Sequence, residues 1–452
     1  MKWFLLNIKV LAVFVVLLFI PLSVLIAQDK GEKEVKTGWN FGVLPAVSFD
    51  TDLGFQYGGL INLYQYGDGS RYPLYDHSFY FEASRYTKGS GIYRFYYDSD
   101  YLFEGKRVTV DLTYMPDQSY DFYGFNGYES VYNSNWEDDA SSEYRSRMFY
   151  KMSQNLFRFK TDFQGAIGSD GWRWIAGINL LNFDISSVDV DRLNEGQDED
   201  DLLPSIDDEP GLYEKYIEWG LISKDEADGG FIPEVKGGFV YDTRDNRPNP
   251  MSGVWTEAVI MASPEFIGSE SSFGKIALTH RQYFTLIPED LSFAYRLGWQ
   301  HTIWGSVPFY YQTQVITSVM TGATSTGLGG AKSLRGIMRN RVVGDGMVFG
   351  NFELRWKAFY FNFINQSFYL GVNTFLDAGR TTSIIEVEDR LPEIADNESD
   401  FFDFGAEDLH VSYGLGLRIA MNRNFIIAAD YGRALDSQDG DSGFYIGLNY
   451  LF

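Results

Sequence analysis

Cysteine is absent from the chain, which excludes disulfides, thiol chemistry and any zinc site built on thiolate. Histidine is almost absent as well: His77, His280, His301 and His410 are scattered, without the close spacing that metal ligands need. Basic residues are few against acidic ones, 37 to 62, giving a net charge of -25. Phosphate recognition needs clustered lysine and arginine, so no nucleic-acid partner is expected. A long apolar run occurs only near the start, where residues 10–26 follow Lys2 and Lys9 and precede Ala27. That arrangement reads as a secretory signal over 1–27, cleaved after Ala27, and no later stretch approaches a spanning helix. If the mature chain is in a membrane, it crosses as strands.

Aromatic residues make up 17% of the chain, and 46 residues are glycine. Tyrosine and tryptophan girdles at two membrane interfaces, with small side chains on an inner wall, account for both. Alternation points the same way. Phe352, Leu354 and Trp356 share one face of a strand, against Asn351, Glu353, Arg355 and Lys357 on the other. Phe368, Leu370, Val372, Thr374 and Leu376 stand likewise against Tyr369, Gly371, Asn373, Phe375 and Asp377. Side chains two apart lie on one face, and charges in mid-strand are tolerated facing a wet lumen rather than lipid. The last strand is expected over 443–452, with Phe444, Ile446, Leu448, Tyr450 and Phe452 as one apolar wall.

Runs of this kind fall at 39–49, 55–66, 77–87, 92–102, 107–116, 147–166, 172–184 and 235–242. The second half adds 254–263, 272–285, 291–304, 348–360, 367–378, 410–421, 424–433 and 443–452. With the first strand running outward, short connections at 103–106, 168–171, 288–290 and 422–423 face the periplasm. The long ones, 117–146, 185–234, 305–347 and 379–409, all face outside. That asymmetry and the even count are the pattern of an outer-membrane barrel. The expected fold is all-β, a transmembrane antiparallel β-barrel of 16 strands over 38–452, preceded by a short periplasmic segment at 28–37. Such a segment leaves no room for a periplasmic domain of about fifty residues or more. Pro45 interrupts the first strand, as proline does mainly at sheet edges or bulges. The acidic stretch from Asp189 to Glu209 reads as a solvated, self-repelling loop; Leu193 and Asn194 stand where a calcium loop needs a ligand and a glycine.

Within the long connection at 305–347, Gly329-Gly330-Ala331-Lys332-Ser333-Leu334-Arg335-Gly336 sets an arginine beside glycines. The two strands that follow point Glu353 and Asp377 to their polar faces. A guanidinium folded into the lumen needs such partners, and carboxylates hold it through forked bonds. The residues alone leave an exposed loop arginine as an equal alternative.

The octapeptide resembles the sixth-loop signature of the BamA/TamA and two-partner-secretion transporter superfamily, the bacterial surface antigen barrel. Asn351-Phe352-Glu353-Leu354 and Phe375-Leu376-Asp377-Ala378-Gly379 resemble two strand motifs of that family. Tyr241-Asp242-Thr243-Arg244-Asp245-Asn246, with Pro250 and Gly253, resembles its periplasmic turn after the eighth strand. The terminal run through Tyr450 to Phe452 resembles a barrel-assembly signal. Ile337 departs from the family, which usually has Phe or Tyr there.

The resemblance implies a sixth loop folded into the lumen, with Gly329, Gly330, Leu334, Arg335 and Gly336 as its motif. Glu353 and Asp377 become lumenal partners of Arg335, and Asp242, Arg244, Asp245, Asn246, Pro250 and Gly253 the turn motif. It further implies the outer membrane of a Gram-negative bacterium, with its lipid and lipopolysaccharide as partners. An insertase or translocase role in outer-membrane biogenesis or protein or lipid export follows. The POTRA domains that receive clients in relatives have no counterpart at 28–37. The alternative is therefore a plugged structural, anchoring or transport barrel. A separate periplasmic or lipoprotein partner and a homo-oligomer both stay open. No serine, histidine and aspartate set converges, so neither an enzyme nor a cofactor nor a metal is expected.

Overall fold

The computed structural model describes residues 35–72, 74–168, 171–247, 249–316, 318, 327–363, 366–391, 398–421 and 425–452. The signal expected over 1–27, residues 28–34 after it, and turn residues 169–170 and 422–423 lie outside them. The strands are β1 (Trp39–Asp50), β2 (Gly54–Gln65), β3 (His77–Tyr86), β4 (Gly91–Phe103), β5 (Lys106–Asp121), β6 (Lys151–Ala166), β7 (Trp172–Ser186) and β8 (Gly229–Asp242). They continue as β9 (Gly253–Ser263), β10 (Phe273–Ile287), β11 (Leu291–Gly305), β12 (Gly346–Phe363), β13 (Gln366–Ser383), β14 (His410–Met421), β15 (Phe425–Ala434) and β16 (Ser442–Leu448). Neighbours in sequence are neighbours in space, and β1 meets β16, closing an antiparallel barrel.

Alternation governs which side chains face where. On β12, Asn351, Glu353 and Arg355 are buried while Leu354 and Trp356 are exposed. On β14, Arg418 is buried between the outward Leu417 and Ile419. An apolar outer wall and a polar inner wall follow, as lipid on one side and a hydrated or filled interior on the other require.

Several expected strand limits need correction. β5 runs on to Asp121 and β8 starts at Gly229, because Pro116 and Pro233 sit within paired ladder positions, opposite Asn155 and Leu180, instead of ending them. β6 starts at Lys151, not at 147. A further change is at the end, where β16 stops at Leu448 instead of continuing to 452. Asn449 has φ 67, a left-handed conformation that breaks an extended strand. Tyr450 and Phe452 thus leave the expected outer wall and turn inward, where the Arg355 guanidinium lies 4.4 Å and 4.7 Å from their ring centres.

The connections at 122–150, 187–228, 306–345 and 384–409 gather at one end. Their aromatic residues form a shared core that includes Phe122, Trp136, Tyr150, Tyr216, Phe309 and Phe402. Tyr216, on the short helix Leu212–Glu218, meets Phe122 edge-on at 5.2 Å, a favoured aromatic geometry. The acidic stretch folds locally: Asp189 accepts the Arg192 N–H and caps the helix Val190–Asn194.

Candidate functional site

The connection between β11 and β12 carries three buried arginines, and each is tied to a different part of the barrel. Arg335 donates through Nε and Nη2 to the two carboxylate oxygens of Asp377, at 2.9 Å and 3.0 Å. Its Nη1 donates to Glu353 Oε1 at 2.6 Å, and its backbone N–H adds a bond to Asp377 at 3.1 Å. The guanidinium also lies 3.6 Å from the centre of the Phe375 ring. So Arg335, Glu353 and Asp377 stand together, all shielded from solvent.

The motif glycines make this possible. Gly329 and Gly336 have φ of +119° and +96°, a region open mainly to glycine. A Cβ on Gly329 would lie 1.9 Å from the Met338 carbonyl oxygen. Ser333 Oγ then bridges the Gly329 N–H and carbonyl, both at 2.9 Å. Leu334 and Ile337 are buried with Leu328, Val342 and Phe349, so the isoleucine fills the apolar site without an aromatic ring.

Sequence reasoning missed a third acid. Asp430 on β15 approaches Arg335 at 3.6 Å and takes two bonds from Arg418, at 2.8 Å and 3.0 Å. Arg355 in turn donates to Glu353 Oε2 at 2.7 Å. Three guanidiniums and three carboxylates therefore balance, as burial of charge demands. Tyr450 and Phe452 cover this group through Arg355, whose Nη2 donates to the Phe452 carbonyl at 2.9 Å. The inward position of Asp430, two residues from Gly432 on the same face, was the available signal.

Arg339 and Arg341 were missed too. Arg339 donates to Asp121 at 2.6 Å and Asp117 at 2.8 Å, near the end of β5. Arg341 donates to the carbonyls of Gly127 and Ser130 at 2.8 Å and 2.9 Å, in the connection after β5. Nearby, His410 lies between Asp439 at 2.5 Å and Glu407 at 3.2 Å, stacked on Tyr128. These residues come from four separate connections and strand ends, so no local spacing betrays them.

The turn motif stands apart from Arg335. Asp242 receives Arg244 Nε and Nη2 at 2.9 Å and 2.8 Å, and the Arg244 guanidinium lies 3.9 Å from the Trp255 ring centre. Asp245 Oδ1 accepts the N–H groups of Asn246 and Met251 at 2.8 Å and 3.0 Å. Gly253 has φ +104° and no room for a Cβ beside the Thr243 carbonyl, while Pro250 is buried. Asn249 reaches the Tyr369 hydroxyl at 2.9 Å, and Tyr369 packs against Tyr450.

Beside this cluster the wall is barely closed. β1 and β16 share two register pairs, Phe49 with Ile446 and Asp50 with Tyr445, whereas β1 and β2 share twelve. Below those pairs a cleft of about 490 Å³ separates β1 from β15 and β16, lined by Leu44, Ala46, Phe425, Ile427 and Leu448 among others. Tyr445 links seam and loop, its hydroxyl accepting the Gly336 N–H at 3.1 Å. Asp52, in the turn between β1 and β2, is pushed up to about 8 by burial, then by the Asp50 and Asp121 carboxylates, against Arg339 and Lys151. Raised above its ordinary value near 4, it contributes stability that is complete below about pH 4 and lost as pH climbs through about 8. The melting temperature should therefore fall between about pH 4 and about pH 8 and level off above that, and Asp52→Asn should flatten the fall. An unchanged slope in the variant would exclude this carboxyl as the cause.

An Omp85 superfamily domain matches residues 77–452, from β3 to the last strand. The chain belongs to the Omp85 superfamily. Solved structures agree on the fold. BamA from Haemophilus ducreyi lacking POTRA domains 1-3 superposes with a TM-score of 0.54 at 15% identity, covering 92% of this chain and 71% of that one. CdiB from Escherichia coli gives 0.54 at 11% identity, covering 92% of this chain and 63% of that one. No curated protein matches the chain. As an Omp85-superfamily barrel, the protein resides in the outer membrane of a Gram-negative bacterium.

Proposed function

We propose that this Omp85-superfamily barrel acts in outer-membrane biogenesis or export, passing client polypeptide through the seam between β1 and β16. One observation carries the reading, the two-pair seam beside a β1 edge that is otherwise bare among the described residues. An unpaired edge is a template for another strand, whose backbone bonds give affinity and whose alternate side chains give selectivity. The likeness to BamA and CdiB supports the coarse class alone.

Absence of native cysteine makes a disulfide lock a clean test. Phe49 and Ile446 are register partners, and opposed antiparallel residues stand within disulfide reach. Phe49→Cys with Ile446→Cys is expected to abolish support for the outer-membrane proteome until reductant is added. Normal levels of other barrel proteins with the lock fully oxidised would refute the proposal.

A second reading is favoured by the filled interior. Arg335, Arg339 and Arg341 anchor the sixth loop across the barrel, which suits a plugged structural or anchoring barrel. Purified protein in planar bilayers is then expected to show no large, steady conductance. A persistent open pore would remove the plug from both readings.

A further inference from the structure

Most strand arginines face inward and meet carboxylates, as Arg94 meets Asp111, Arg281 meets Glu257 and Arg418 meets Asp430. Arg85 and Arg433 do not. Arg85 is exposed on β3, on the face it shares with Phe81. Arg433 is exposed on β15, on the face it shares with Tyr431. Among the described residues no carboxylate lies within ion-pair distance of either. Each stands one residue before its strand ends, Tyr86 and Ala434. Both strands run toward the end that carries the long connections, the outer face of such a barrel.

Tyrosines mark the depth of both positions. Tyr57 is the register partner of Arg85, and Tyr93 accepts its Nε at 2.9 Å, with Tyr114 paired beyond. Tyr413 is the register partner of Arg433, with Tyr431 two residues away. Tyrosine concentrates where lipid headgroups meet hydrocarbon. Beneath lie outward apolar residues, Phe81 on one side and Leu415 and Leu417 on the other, a surface for acyl chains. An outward guanidinium in this wall is unfavourable unless an anion meets it, and its planar fork fits phosphate.

We propose that Arg85 and Arg433 bind the phosphate headgroups of outer-leaflet lipid, one on each flank of the β1–β16 seam. Across β15, β16, β1, β2 and β3 the two sites are roughly 19 Å apart at ordinary strand spacing, so each flank takes its own phosphate. The site does not depend on whether clients pass through the seam.

The test uses the full-length protein in vesicles containing lipopolysaccharide or its enzymatically dephosphorylated form. Lipid retained after mild detergent extraction is counted by native mass spectrometry. Wild-type protein is expected to retain phosphorylated lipid about ten-fold better than the dephosphorylated form, in line with the attraction of two interfacial arginines. Arg85→Gln with Arg433→Gln should lose that preference while keeping normal heat-modifiable migration, since both side chains are exposed. Arg85→Lys with Arg433→Lys should keep part of it. Equal retention of the two lipids by wild-type protein, or an undiminished preference in the folded glutamine variant, would overturn the proposal.

Discussion

Arg335→Ala is expected to destabilise the barrel by about 3–5 kcal/mol, the usual cost of stranding a buried charge. The loss falls unevenly on its partners. Glu353 keeps Arg355 and Asp430 keeps Arg418. Among the described residues Asp377 keeps only one backbone N–H, because its other bonds come from the Arg335 guanidinium. Adding Asp377→Asn to Arg335→Ala should therefore restore part of the stability, a coupling that a double-mutant cycle measures. Thermal unfolding followed by heat-modifiable migration reads both effects. A melting temperature and protease pattern identical to wild type in the single variant would show that the ion group holds nothing.

Gly432→Ala should have a similar effect through sterics alone. A Cβ there would lie 2.4 Å from the Arg335 carbonyl oxygen, 2.6 Å from its carbon and 2.9 Å from the Gly336 nitrogen. All three are backbone atoms, so no rotamer change relieves the clash and the loop has to move away from β15. Its retreat would break the Arg335 bonds and the Gly336 contact with Tyr445. Overpacking of about 1–3 kcal/mol then adds to the loss of the ion group. Trypsin should cut a folded Gly432→Ala barrel after Arg335, a site buried in the wild type. Gly447→Ala, where a Cβ meets nothing within 4 Å, should behave as wild type. Equal trypsin resistance of the two variants would contradict the close packing of loop and strand.

Strand order and inner-wall chemistry were legible because alternation is enforced at every wall position by lipid on one side. Glu353 and Asp377 could be placed by facing alone. What escaped the sequence depended on contacts between distant segments. Asp430 is one inward acid among several until Arg335 comes within 3.6 Å of it. The strands expected to end at 116 and to begin at 235 run on instead through Pro116 and Pro233, although proline removes a ladder donor. The alternation of Tyr450 and Phe452 fits a strand well; the left-handed Asn449 and the arginines waiting inside decide otherwise.

That inward turn has a consequence for the membrane itself. Together with the register of the seam, it leaves ten residues of β1, from Trp39 to Ser48, without a neighbour on the β16 side among the described residues, about the length of strand that crosses a bilayer. Half of the backbone groups along such an edge point away from β2, and in hydrocarbon each unsatisfied one costs several kcal/mol. Lipid tails cannot satisfy them, whereas water, headgroups or another strand can. The bilayer beside this wall is therefore expected to be thinned or hydrated along a strip about one strand wide, even while nothing is passing.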